Sequence, residues 1–107
     1  MTITVEHLAN GVSLVTLSAE TSRNGLNMES MKSMSDIMNS LLDDKSIKSI
    51  VMTGTGKFFC SGADIDSFAS AIDDGSIADL VGGLTSLLHP MELKIRASEK
   101  IFVAAIN

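Results

Sequence analysis

At 107 residues, with 45% hydrophobic and 20% charged side chains and no low-complexity run, the chain reads as a single globular domain and excludes a disordered or fibrous protein. Eight Lys and Arg against 13 Asp and Glu leave a net charge of −5, and the basic residues are scattered, which argues against nucleic-acid binding. A lone cysteine, Cys60, excludes an internal disulfide or a cysteine metal cluster; with no basic leader and no apolar run near the roughly 18 residues of a membrane span, a soluble, cytoplasmic protein is expected.

Ile3, Val5 and Leu8 precede Asn10-Gly11, and Val12, Leu14 and Leu17 follow it. An Asn-Gly pair between two apolar runs predicts an antiparallel hairpin. Behind Asn27, a good helix N-cap, Met28, Met31, Met34, Ile37, Met38, Leu41 and Leu42 recur at steps of three and four. They predict an amphipathic helix ending near Asp43-Asp44. A methionine stripe can be a pliable ligand surface, but core packing is the commoner use and the one expected here.

Residues 49–53 read as a buried strand bounded by Gly54-Thr55-Gly56. The run from Lys57 to Ile65, KFFCSGADI, then carries an apolar segment into a small-residue turn that opens a helix. Amides at a helix start have no intrahelical acceptor and sit at the positive end of the peptide dipoles, so such a turn can receive an oxygen that becomes negative. An ordinary strand-to-helix connection has the same spacing.

A short helix over 64–72 is predicted next, with Asp64 and Asp66 in its first turn and Asp73-Asp74-Gly75 ending it. From Ile77 to Ile95 apolar residues again run at helical spacing, interrupted by Gly82-Gly83 and by Pro90, which is expected to kink or break the helix. Residues 101–106 form a final strand, apolar enough to be buried on both faces. Something is expected to continue or cover it, either more of the same polypeptide or a separate chain.

Several chemistries fail on residue type. Gly54-Thr55-Gly56-Lys57 lacks the other residues of a Walker loop, and Phe59 stands where a dinucleotide loop needs its third glycine. Cys60 has apolar flanks and no nearby His, so it reads as a small packed residue. His7 reads as a hairpin surface residue. The aspartates Asp64, Asp66, Asp73 and Asp74 suit capping and solvation better than paired acid/base work, and no His/Cys/Glu cluster has metal-ligand spacing.

FFCSGADI, followed by IFVAAIN at the C-terminal end, resembles the crotonase family, also called the enoyl-CoA hydratase/isomerase family. Asn24-Gly25-Leu26 is similar to that family's N-A-L segment, with Gly25 in the Ala position, while Ile101 stands where the family usually has Pro. The resemblance implies an α/β fold: a crotonase-like spiral of β-β-α units, of which residues 1–107 would be the N-terminal part of a single domain with mixed sheets and flanking helices. It implies that the Ser61 backbone N–H is one of two oxyanion donors. The second donor and the family's catalytic glutamates would lie beyond Asn107.

By the same resemblance, the substrate would be an acyl-CoA thioester, with coenzyme A part of the substrate and no prosthetic group. Arg23, Asn24, Gly25 and Leu26 would contact it from one side, and Phe59, Gly62, Ala63, Asp64 and Ile65 from the turn. Lys57 and Arg23 would lie near the adenosine and phosphates, or be two solvated cations. His89 falls where the aryl-CoA dehalogenase branch carries a His beside the acyl pocket, or is simply an exposed helix residue. Hydration of a 2-enoyl-CoA is the commonest reaction of the family. Double-bond isomerisation, a non-catalytic acyl-CoA-binding or assembly subunit and a truncated fragment are the alternatives. Relatives form trimers and hexamers, so a homo-oligomer is implied, or else a second chain supplying the C-terminal part.

Overall fold

Strands β1 (Thr2–His7) and β2 (Val12–Ser18) form the expected antiparallel hairpin in the computed structural model, which describes residues 2–107. Asn10 and Gly11 take left-handed φ values of 62° and 75° at its turn, the conformation that favours this pair. Helix α1 (Met28–Asp43) follows. Its start is fixed reciprocally: Asn27 Oδ1 accepts from Ser30 N at 2.9 Å while Ser30 Oγ accepts from Asn27 N at 2.8 Å. Strand β3 (Ser49–Gly54), helices α2 (Ile65–Asp74) and α3 (Ile77–Ala97), and strand β4 (Ile101–Ala105) complete the order.

The strands lie in the order β1-β2-β3-β4, with β2, β3 and β4 parallel, giving a mixed four-stranded sheet. Parallel neighbours need crossovers, and α1 supplies one and the α2–α3 pair the other. The alternation of β2 places Ser13, Val15 and Leu17 on the helix-covered face beside Ile50. Met34, Met38, Leu41 and Met91 pack onto them, so the methionine stripe is core. Each such side chain contributes about 1.5 to 3 kcal/mol by leaving water. Lys100 Nζ ties the far end of the layer, donating to the carbonyls of Asp44 and Ile47 at 2.6 and 2.7 Å just past the end of α1.

The opposite sheet face is bare. Ile101 and Val103 of the edge strand β4 are 65 and 46% exposed. The expectation of a strand buried on both faces is therefore not met: only Phe102 is half-buried against the core, and the other four residues of β4 are exposed. The slab is 16 Å thin and 48 Å long, and its radius of gyration of 14.5 Å exceeds the about 13 Å of a compact domain of this length.

Pro90 neither breaks nor ends α3, against expectation, and Gly82-Gly83 are helical as well. Pro90 is exposed, whereas Leu84 and Met91 are buried, so packing on the inner face holds the helix across the lost N–H. Gly83 packs closely on Met28: a Cβ there would stand 3.0 Å from Met28 Cε, so the methionine tip would have to shift.

Candidate functional site

The turn at residues 60–64 joins the sheet layer to α2, and hydrogen bonds set its shape. Leu26 bridges Ala63 in parallel fashion, its N–H donating to Gly62 O at 2.8 Å and its carbonyl accepting from Asp64 N at 2.9 Å. In that pattern the N–H and C=O of the middle residue, Ala63, face away from Leu26. Ser61 N donates to Arg23 O at 3.1 Å, and Gly62 N lies 3.4 Å from Cys60 Sγ. Among the described residues, the amide of Ala63 has no acceptor.

The amide expected to be free is thus paired. The Ser61 N–H is engaged by Arg23, so in this arrangement it does not face a ligand. Leu26 pairing across the turn decides which amide is free, and that contact is tertiary. The Ser61 hydroxyl, 3.4 Å from Ser22 O, packs at Gly25, where a Cβ would meet it at 3.1 Å. Gly25 and Ser61 thus approach closely.

The loop feeding the turn is held by buried polar bonds. Asn24, fully buried, donates to Phe58 O at 2.8 Å and to Thr55 O at 3.1 Å, and its Oδ1 accepts from Ala19 N at 2.6 Å. Arg23 and Asn24 both have left-handed φ, 54° and 57°, which turns the Arg23 carbonyl toward Ser61. Gly54 is another close approach, since a Cβ there would collide with the carbonyls of Phe58 and Phe59. Asp64 caps α2, accepting from Ser67 N at 3.2 Å and Ser67 Oγ at 2.6 Å, so its carboxylate already answers the positive end of that helix.

Two cavities flank the turn. One, of about 240 Å³, is polar, with Ser22, Arg23, Ser61, Asp64 and Asp66 along it, and 71% exposed Ile65 at its edge. Here Arg23 lies 5.6 Å over the Phe58 ring, a cation–π arrangement, and Asp64 and Asp66 line the same cleft. The other, also about 240 Å³, is apolar: Leu26, Gly62 and Ala63 on the turn side, Met31 beneath, and Phe68, Leu84 and Leu88 opposite. Thr85 completes it, its hydroxyl turned back to donate to Val81 O at 2.9 Å.

Of the expected contact residues, Leu26, Gly62 and Ala63 meet at the apolar cavity, and Arg23, Asp64 and Ile65 at the polar one. Gly25 and Asn24 are buried beneath the turn, and Phe59 is half-buried. Lys57 is exposed on the loop and His89 exposed on α3, and neither lines these two cavities. Sequence reading did not single out Phe68, Leu84, Thr85 or Leu88 as cavity walls. Their spacing was available: Val81, Leu84, Thr85 and Leu88 form one face of a helix.

The family model for enoyl-CoA hydratase/isomerase matches residues 7–107. The enoyl-CoA hydratase ACTT3 of Alternaria alternata is 39% identical over 57 residues, covering 53% of this chain and 19% of that protein. The 2,3-dehydroadipyl-CoA hydratase of Escherichia coli is 29% identical over 96 residues, covering 90% of this chain and 35% of that protein. In fold, the crystal structure of an enoyl-CoA hydratase from Bacillus anthracis superimposes with a TM-score of 0.84 at 23% identity, over 98% of this chain and 39% of that one. The chain thus spans well under half the length of these relatives.

Proposed function

The chain belongs to the enoyl-CoA hydratase/isomerase family, and on that footing we propose that it binds an acyl-CoA thioester with the carbonyl oxygen at the Ala63 N–H. The observation that carries this reading is the pairing of an amide without an acceptor and an apolar cavity at one residue. An amide so placed costs no reorganisation when the thioester oxygen gains charge on the way to an enolate. The acyl group would enter the apolar cavity, and the coenzyme A portion would leave along the cleft bearing Arg23, with Lys57 as a further contact for phosphate. Coenzyme A enters as part of the substrate, and no prosthetic group is invoked.

The reaction we assign to the complete protein is hydration of a 2-enoyl-CoA in acyl-CoA metabolism, with double-bond isomerisation as the alternative. Its proton-transferring carboxylates and second oxyanion donor would come from polypeptide matching the remainder of the relatives. The bare sheet face and the exposed β4 edge favour a second reading, in which this chain acts as part of an assembly, as a homo-oligomer or with a second chain over that face. Native mass spectrometry with acetoacetyl-CoA, an enolisable thioester, tests both. Binding by the chain alone supports the site, and binding only with a second polypeptide supports the assembly. No binding in either state would end the acyl-CoA reading.

A further inference from the structure

The side chains lining the apolar cavity beside Ala63 have no means of holding a charge. Leu26, Met31, Phe68, Leu84 and Leu88 offer only carbon and sulfur surface. Thr85, whose hydroxyl is the one polar side-chain group in the wall, spends its proton on Val81 O at 2.9 Å and also lies 3.2 Å from Gly82 O. Arg23, Asp64 and Asp66 line the other cleft and are not among the residues of this wall. The Ala63 N–H is given to the thioester oxygen in the reading above, so a distal carboxylate pushed into the apolar cavity would lose water and find no side-chain donor, a far larger loss than a misplaced methylene causes.

We propose that this cavity selects acyl groups that are hydrocarbon to their end and rejects acyl groups carrying a second, distal carboxylate. The inference rests on the acyl-CoA reading above and goes beyond it, because it names which acyl-CoA the chain accepts. Size agrees with a medium acyl chain: about 240 Å³, at about 30 Å³ for a water-sized group, holds on the order of eight carbons. Val81 at the rim, 40% exposed, is the position where a cation would change the outcome.

The test is calorimetric titration of the full chain with coenzyme A, hexanoyl-CoA and adipoyl-CoA, the last two alike in length and differing by the terminal carboxylate. Hexanoyl-CoA is expected to bind at least about tenfold tighter than coenzyme A, and adipoyl-CoA no tighter than coenzyme A. Adipoyl-CoA binding within about threefold of hexanoyl-CoA, both above coenzyme A, would overturn the selectivity and leave the acyl-CoA site standing. Neither acyl ligand exceeding coenzyme A would overturn the site and the selectivity together. In Val81→Arg, adipoyl-CoA is expected to gain about tenfold while hexanoyl-CoA moves by less than about threefold. Loss of that gain in a folded variant would remove the acyl end from this cavity.

Discussion

Asn24 and Asn107 meet on one carbonyl: their side-chain amides donate to Phe58 O at 2.8 and 3.2 Å. Asn107 also donates to Gly56 O at 2.8 Å, and its Oδ1 lies 3.3 Å from Gly54 N, while Asn24 reaches Thr55 O and Ala19 N. The loop from Gly54 to Phe58 is therefore held from Asn107, just past β4, on one side and from the Arg23-Asn24 turn on the other. The position of the following turn, and so of the Ala63 amide, is inherited from this clamp.

The two members of the clamp differ in burial, and their removal is expected to differ accordingly. Asn24→Ala strands buried groups and puts Ala in a left-handed conformation that Asn tolerates better, for a loss of about 2 to 3 kcal/mol. Asn107→Ala, at an exposed site where water can replace the amide, should cost about 0.5 to 1 kcal/mol. Urea midpoints of the two variants check the order. An equal cost would mean that burial does not govern the clamp.

Gly25 and Ser61 should couple. A Cβ at position 25 meets Ser22 O at 3.0 Å, Ser61 Oγ at 3.1 Å and Asp64 Cα at 3.2 Å. Gly25→Ala alone is expected to destabilise by about 1 kcal/mol through crowding. In a Ser61→Ala background the hydroxyl contact is gone, and the entropy that alanine removes from the unfolded chain, about 0.4 to 1 kcal/mol, should offset most of what remains. A double-mutant cycle giving a coupling near zero would show that the serine does not press on position 25.

Amide-to-ester replacement distinguishes the two candidate donors without changing a side chain. An ester at Ala63 is expected to lower kcat of the assembled enzyme by about a hundredfold, the effect of losing one oxyanion donor, with little change in stability. An ester at Ser61 removes its bond to Arg23 O and should cost about 1 kcal/mol of stability with a smaller effect on turnover. Equal kinetic losses at both positions would count against Ala63 as the donor.

Acid sensitivity should trace to two Asx turns outside the site. The side chain and backbone N–H of Ser46 hold the Asp44 carboxyl below the usual aspartate range, and Ser76 does the same for Asp74. A carboxylate with a depressed folded pKa adds stability above its unfolded pKa of about 4, and that contribution disappears as pH falls through the folded value. Both groups are fully exposed, so the effect is small and screened by salt. In Asp44→Asn/Asp74→Asn, melting temperature should fall less steeply below about pH 4 than in the parent chain. An unchanged slope would place the acid response elsewhere.

The hairpin was legible because Asn10-Gly11 accepts a backbone that most residues resist, and α1 because Asn27 and the methionine spacing agree. The end of α2 was legible for the same reason: Gly75 caps it with φ 77°. Pro90 misled because local chemistry argues for a break while Leu84 and Met91 are buried on the other face of the helix. Local preference of a few kcal/mol yields when neighbouring turns bury that much apolar surface.

The sequence alone determined the family, the β-β-α-β opening and the segment that would carry the site, since each depends on residue type and short spacing. Only the tertiary structure decided which amide in that segment is free. Leu26 bonds to the residues on either side of Ala63, and Arg23, in its left-handed turn, presents its carbonyl to Ser61. Hydrogen bonds between segments some forty residues apart set the direction of a peptide plane, and no local pattern contains that information.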